Sequence, residues 1–314
     1  MLQYRLGLYF VDAEIFKELV AKHGNTPRTA HLINSQGKAA AALLAAPRWV
    51  ATRIGNSAFR AGLAAQLGLP QTAHGVTNTC SCGATNPATG EHAYLCAHDT
   101  RRQVQATAGQ NALGLVVECL PRVRLIGTRV VTANQRPAEP QFAEAVDTVG
   151  IKLYAAADGA RRFDAGFRAP DGEAHYVDVK RTALVKTDNL AKVCDVKRGQ
   201  GYAAKEGDEA KIASYRKAIS NLDSVAGRIH FATVDTAGNL SDGFDKLIKM
   251  LGRMAYPGAG VDGRYDVDGL RSRAVAFARQ TVAAGLWRSN YITISAWADR
   301  TYGRAGPPAR APPT

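Results

Sequence analysis

The sequence predicts an α+β chain: a helical N-terminal segment, a small segment ordered by metal, and a longer part in which strands and helices mix. Three observations carry this expectation. Residues 1–70 show helical apolar spacing punctuated by caps and stops. Residues 71–97 are rich in Gly, Thr and Asn and too poor in apolar residues for a core, as expected where a metal supplies the fold. From Phe163 onward, β-rich runs separated by turn residues alternate with amphipathic helical stretches.

Asp12 can cap a helix through Ile15, Phe16, Leu19 and Val20 that stops at Gly24-Asn25. An alanine-rich stretch, Lys38 to Ala46, ends at Pro47. Asn56 or Ser57 can cap a third helix, with Phe59, Leu63 and Leu67 along one side and Gly68 and Pro70 closing it. Further on, a helix is expected over Thr100 to Leu120 and a strand over Val123 to Val131. Gln135 to Pro140, with two prolines, reads as a connection. A hairpin spans Phe163 to Thr182, followed by a helix from Lys205 to Leu222 and a short β-rich run over Ile229 to Val234. An amphipathic helix covers Gly243 to Met254, a loop with four glycines covers Pro257 to Gly269, and a further helix covers Leu270 to Leu286. The tail, Gly306 to Thr314, holds four prolines and is expected to be disordered. The boundaries divide the chain into 1–70, 71–100, 101–256 and 257–314, and no internal repeat is visible.

Composition bounds the function. The 314 residues suffice for one large domain or two modest ones, and 46% hydrophobic with 21% charged residues is an ordinary globular balance. Forty Lys and Arg against twenty-seven Asp and Glu leave a net charge of +13, which favours a polyanionic partner. Basic enzymes without a nucleic-acid role share that property, so charge shifts the odds only modestly. No run of eighteen apolar residues argues for a membrane span, and Met1-Leu2-Gln3-Tyr4-Arg5 lacks the order of a secretion signal. Five cysteines, three of them grouped with a histidine, favour metal binding in a reducing, intracellular compartment over a disulfide framework.

Cys80, Cys82, His92 and Cys96 form a C-x-C, nine residues, H-x3-C arrangement. Thiolates and imidazole suit tetrahedral Zn²⁺, and Gly83 and Gly90 let the backbone wrap an ion. The C-x-C spacing is shorter than the usual knuckle; His74 and His98 are substitute ligands, and free cysteines beside a loop histidine are the plain alternative. Cys119 and Cys194 stand alone.

In the hairpin, Pro170-Asp171-Gly172 is strong turn chemistry, with Gly172 in the left-handed position of a bulged three-residue turn. That register pairs residues whose numbers sum to 342, which sets Asp164 opposite Asp178. Facing carboxylates repel, and a divalent cation between them removes the problem. Lys180, two residues past Asp178, projects from the same face. Carboxylates holding Mg²⁺ or Mn²⁺ beside a lysine are what phosphodiester hydrolysis requires. Lys211 and Tyr215, at i and i+4 of the following helix, can reach the same cleft. The plain alternative is an amphipathic hairpin with an acidic polar face and Lys180 in a surface ion pair. Arg101, Arg102, Arg162, Arg181, Lys186, Lys197 and Arg198 are basic residues near these sites that could meet phosphates.

The order of these features resembles the C-terminal part of non-LTR retrotransposon polyproteins of the restriction-like-endonuclease class, over about Asn56 to Met254. In that family a leucine-glycine-leucine-proline sequence, similar to Leu67-Gly68-Leu69-Pro70, closes a helix behind the reverse transcriptase. A C-C-H-C knuckle follows, matching Cys80, Cys82, His92 and Cys96, and then a Glu-Pro pair like Glu139-Pro140. Arg162-Phe163-Asp164 resembles the Arg-Pro-Asp motif, Val177-Asp178 the second acid in its strand, and Lys211 and Tyr215 the helical lysine and tyrosine. Val234-Asp235-Thr236-Ala237-Gly238 resembles the turn after the next strand. The chain departs from the family at Gly109-Gln110-Asn111, where many members carry Arg-His-Asn, at Phe163, and in having Lys180. No polymerase aspartate pair is found.

The resemblance implies a PD-(D/E)xK nuclease core, a mixed sheet flanked by helices. It also implies structural zinc, catalytic Mg²⁺ or Mn²⁺, and nicking of target DNA, with element RNA and a reverse transcriptase as further partners and nuclear residence in a eukaryote. A non-catalytic nucleic-acid-binding module from a truncated element, and an unrelated basic α/β protein, are the competing readings.

Overall fold

The computed structural model describes residues 18, 20–35, 42, 49–71, 79–80, 82–85, 89–96, 102–128, 163–186, 188–195, 198–216, 227–258 and 266–302. The expected helix start at Asp12, most of Lys38 to Ala46, the Gln135–Pro140 connection and the proline-rich tail lie outside them.

The first expected helix stops where the sequence indicates. Gly24 takes φ +59 and its N–H donates to the Val20 carbonyl. Helix α1 (Pro27–Asn34) follows at once, an element absent from the sequence reading although its signal is present. The Thr26 side chain accepts from the Thr29 N–H at 3.2 Å, and Pro27 occupies the first turn. Helix α2 (Asn56–Gln66) has Gly55 rather than Asn56 or Ser57 at its cap, and Gly68 closes it at φ +60. Its buried side is the small-residue side, Ala58, Ala61, Gly62 and Ala65, and not the Phe59–Leu63–Leu67 ridge. Phe59 and Leu67 remain 37% and 39% exposed. The reason is Trp287, whose indole lies flat against the groove and leaves no room for a larger residue.

A short helix α3 (Glu91–Leu95) precedes α4 (Arg102–Cys119), and α4 leads into strand β1 (Arg124–Thr128). Strands β2 (Ala165–Arg168) and β3 (Ala174–Thr182) form the expected hairpin. A turn of helix, α5 (Leu190–Val193), and α6 (Tyr202–Arg216) connect to β4 (Ile229–Asp235), then α7 (Asp242–Ala255) and α8 (Val267–Tyr302). The last helix runs 36 residues, well past the expected Leu270 to Leu286. The four strands make one mixed sheet in the order β1-β2-β3-β4, antiparallel except for the parallel β3–β4 pair.

Two-residue periodicity divides β3 between two faces. Val177 and Val179 join Leu113, Val116, Ala232, Val234, Phe244 and Leu247 in the main core beneath α4, α7 and α8. On the opposite face, Tyr176, Phe163, Tyr215 and Phe231 pack as an aromatic group under α6, with Phe163 stacked 5.4 Å from Tyr176 and 5.5 Å from Tyr215. Phe163 thereby anchors the chain immediately before Asp164. Among the described residues, no helix is long and apolar enough to cross a membrane.

In an exposed helix, Gly→Ala stabilises by up to ~1 kcal/mol. At Gly62 the sign reverses, because an added Cβ would lie 2.2 Å from the Trp287 ring. Gly62→Ala is expected to cost about 1–3 kcal/mol of stability in urea unfolding; a neutral or stabilising result would show that α2 and α8 are not held together here.

A second expectation concerns pH. His175 and His230 stack with their Nδ1 and Nε2 3.1 Å apart, and burial, then the charge of His175, hold His230 down to about 4. Below the unfolded value of about 6.5 the unfolded chain takes up a proton that folded His230 refuses. Its contribution is therefore lost as pH falls from about 6.5 towards 4, at no more than ~1.4 kcal/mol per pH unit. His230→Phe should flatten that part of the stability profile, whereas a wild-type-to-variant gap independent of pH would refute the assignment.

Candidate functional site

The hairpin places the acids as its turn chemistry requires. Ala165 pairs with Val177, Gly166 with Tyr176, Phe167 with His175 and Arg168 with Ala174. Gly172 has φ +89, its N–H donates to the Ala169 carbonyl, and Asp171 accepts from the Glu173 N–H. Asp164 therefore stands at the strand end beside Asp178, both of them buried, at 8% and 3% exposure. Asp164 Oδ2 accepts from the Val179 N–H at 2.9 Å. Burial, and after it the charge of Asp178, pushes Asp164 up to about 7; the Val179 N–H and Lys211 pull the other way.

Lys211 reaches across from α6 and donates to both oxygens of Asp178, at 2.9 and 2.8 Å. Lys180 lies on the same sheet face, half-buried; burial, then the charges of Lys211 and Lys186, lower its pKa, and Asp178 and Asp208 oppose the shift. Tyr215, one helical turn beyond Lys211, is packed by its ring between Phe163 and Phe231. That position fixes α6 against the strands carrying the acids. Asp208, which the sequence reading did not single out, accepts from the Thr233 N–H and so ties α6 to β4. The acid pair, Lys180 and Lys211 thus come together on one face. Two buried carboxylates thus have one direct ammonium partner, Lys211, which bonds only Asp178.

The four residues Cys80, Cys82, His92 and Cys96 also come together, with ligand atoms within 4.8 Å of one another. Cys80 and Cys96 Sγ are 3.6 Å apart without a disulfide, and Cys82 Sγ is 3.2 Å from His92 Nε2. A tetrahedral ion with Zn–S bonds of about 2.3 Å would separate its sulfurs by about 3.8 Å, close to this spacing. Locally, Gly83 at φ +83 makes the turn in which the Cys80 N–H donates to Ala84 O and the Gly83 N–H to Cys80 O. Gly90, at φ +79, starts α3, whose single turn presents His92 and then Cys96. This group could hold a metal ion such as zinc. His74 and His98 lie outside the described residues.

The neighbours of His92 carry a feature that the sequence reading missed. Glu91 is buried; one of its oxygens contacts His31 Nε2 on α1, and the other accepts from Thr236 Oγ1 at 3.2 Å. The Arg181 guanidinium lies over the Tyr94 ring at 5.4 Å and donates to Asn290 on α8. Burial lowers Arg181 to about 10, with Tyr94, Glu91 and Asp235 opposing the shift, and raises Asp235 to about 6. Arg181, expected among the phosphate-facing residues, instead turns its Nε and Nη1 into the interior, on the sheet face opposite the acids. The periodicity of β3 decides this, since Arg181 shares the parity of Val177 and Val179. Of the other basic residues, Lys186 pairs with Glu206 at 2.9 Å and Arg198 is exposed. Arg101, Arg162 and Lys197 lie outside the described residues, and Arg102 begins α4.

No protein-family model, no curated protein and no solved structure matches the chain.

Glu91→Ala would remove the acceptor of Thr236 Oγ1 and the contact of His31 Nε2, all within the interior. The expected loss of stability is about 1–3 kcal/mol in denaturant unfolding, with Glu91→Gln, which keeps an acceptor, losing less. Equal losses in the two variants would mean that these contacts do not hold α3 in place.

Proposed function

We propose that this chain is a metal-dependent nuclease that hydrolyses phosphodiester bonds of DNA, with a structural zinc held by Cys80, Cys82, His92 and Cys96. The observation that carries the reading is the convergence of Asp164, Asp178, Lys180 and Lys211 on one face of a mixed sheet flanked by helices. The order of motifs shared with the retroelement proteins supports the same chemistry, a PD-(D/E)xK core, and a reverse transcriptase as partner.

Asp164 and Asp178 would hold Mg²⁺ or Mn²⁺, which supplies an activated water and neutralises charge developing on the phosphate. The chain's own groups do the rest. Asp164 would serve in its carboxylate form, and the Val179 N–H holds that carboxylate in place. Lys180, its ammonium already disfavoured by burial and by neighbouring lysines, can orient the attacking water or hold a phosphate oxygen. Lys186 and Arg198 extend the positive field along a bound backbone. Hydrolysis joins the water oxygen to phosphorus and breaks one phosphorus–ester oxygen bond, the leaving oxygen taking a proton.

Nicking of supercoiled plasmid tests the reading. With Mg²⁺ or Mn²⁺ the wild type should nick, and Asp178→Ala should lower the rate by roughly a hundredfold or more. Cleavage that survives the substitution would displace the site; absence of cleavage with salt-sensitive DNA binding would favour the binding module. The pH dependence has a defined sign. Below about 7 the ion must displace a proton from Asp164, so apparent metal affinity should fall as pH drops below 7 and level off above it. Calorimetric Mn²⁺ titration at several pH values reads this directly, and an affinity unchanged from pH 6 to pH 8 would show that no proton is displaced from Asp164 over that range.

A further inference from the structure

Lys211 sits in front of the Asp178 carboxylate, nearly equidistant from its two oxygens, where an ion held by both oxygens would lie. Its Nζ lies 2.9 Å from Oδ1 and 2.8 Å from Oδ2, so the ammonium straddles the carboxylate. A hard cation such as Mg²⁺ sits about 2.1 Å from a carboxylate oxygen. An ammonium and an ion cannot share that volume.

The two partners differ in freedom to move. Asp178 is held in β3 with 4% of its side chain exposed, whereas the Lys211 side chain is 29% exposed. The lysine stem has four carbons and rotatable bonds and can swing toward solvent. The helix itself is anchored, because Tyr215 is packed against Phe163 and Phe231. Withdrawal is therefore a side-chain movement. Once withdrawn, Lys211 would stand with Lys180 beside a bound cation, positive charge that a polyanion entering the site would balance.

Resting on the nuclease reading above, we infer that Lys211 is an internal counter-ion that closes the metal position in the free protein. The phosphodiester of the substrate draws it away, so that metal and nucleic acid bind cooperatively. The coupling is reciprocal: metal raises affinity for the strand by the factor by which the strand raises affinity for metal.

The test is calorimetric titration of Mn²⁺ into the zinc-loaded full chain at pH 8, with and without a short phosphorothioate DNA duplex. Wild type is compared with Lys211→Met, which keeps the apolar stem, with Lys180→Met, which removes one charge without vacating the position, and with Asp178→Ala. Without DNA, Lys211→Met should bind Mn²⁺ roughly tenfold more tightly than wild type. Lys180→Met should change the affinity far less, and the gain on adding DNA should shrink in Lys211→Met. Without Mn²⁺, Lys211→Met should also melt at a lower temperature than wild type, having lost the partner of a buried carboxylate; should it fail to fold, Lys211→Gln takes its place in the same comparison. Equal or weaker Mn²⁺ binding by Lys211→Met, with binding still lost in Asp178→Ala, overturns the inference and leaves the nuclease reading standing. If neither wild type nor Lys211→Met binds Mn²⁺ through Asp178, the nuclease reading falls and takes the inference with it.

Discussion

The alternation of side chains along β3 is the constraint on which the rest of the molecule depends. Paired antiparallel with β2 and parallel with β4, this strand is fixed in register on both sides. Its odd residues, Val177, Val179 and Arg181, enter the space beneath α4 and α8, and its even residues, Tyr176, Asp178 and Lys180, face α6. A slip of one residue would exchange the two sets, placing carboxylate and ammonium in the apolar core and valines in the site. Strong pairing on both edges is thus also what gives the acidic site a defined shape.

Buried charge is concentrated on both faces but handled differently. Beneath α8, Glu91 contacts His31 and accepts from Thr236, while Arg181 donates to Asn290 and lies over the Tyr94 ring, so that α1, α3, the sheet and α8 are joined through polar contacts. Asn34 adds a further tie, accepting from the Gly201 N–H and the Asn239 side chain. Because Glu91 is adjacent to His92, the helix that presents two of the four Cys/His ligands is packed by the same contacts that hold the ends of β3 and β4. On the α6 face the balance is incomplete: two carboxylates share one close ammonium, and the cost appears as the raised pKa of Asp164.

Local chemistry made much of this legible in the sequence. Pro170-Asp171-Gly172 specifies the turn, the turn specifies the register, and the register brings Asp164 beside Asp178. Cys80, Cys82, His92 and Cys96 were recognisable because sulfur and imidazole at short spacing have few other uses, and the glycines that let the chain wrap them are local too. Helix α1 is encoded equally locally, by the Thr26 cap and Pro27 in its first turn. By contrast, nothing at Glu91 distinguishes it from a solvated residue beside a ligand, and Arg181 looks like any basic residue after an acidic site. Their burial depends on partners at positions 31, 236 and 290 that no short-range pattern announces.

The mixed helix-and-strand character, the hairpin with its register, and the two groups of candidate residues are written locally, because each follows from interactions within about twenty residues. Which side of α2 is buried, where Arg181 points, and the seat of Lys211 on Asp178 are settled by long-range packing. Those outcomes depend on Trp287, on the packing of α4 and α8 against one sheet face, and on the placement of α6 against the other. Contacts between segments so far apart in the chain are set by how whole elements pack, and that information is spread over the entire core.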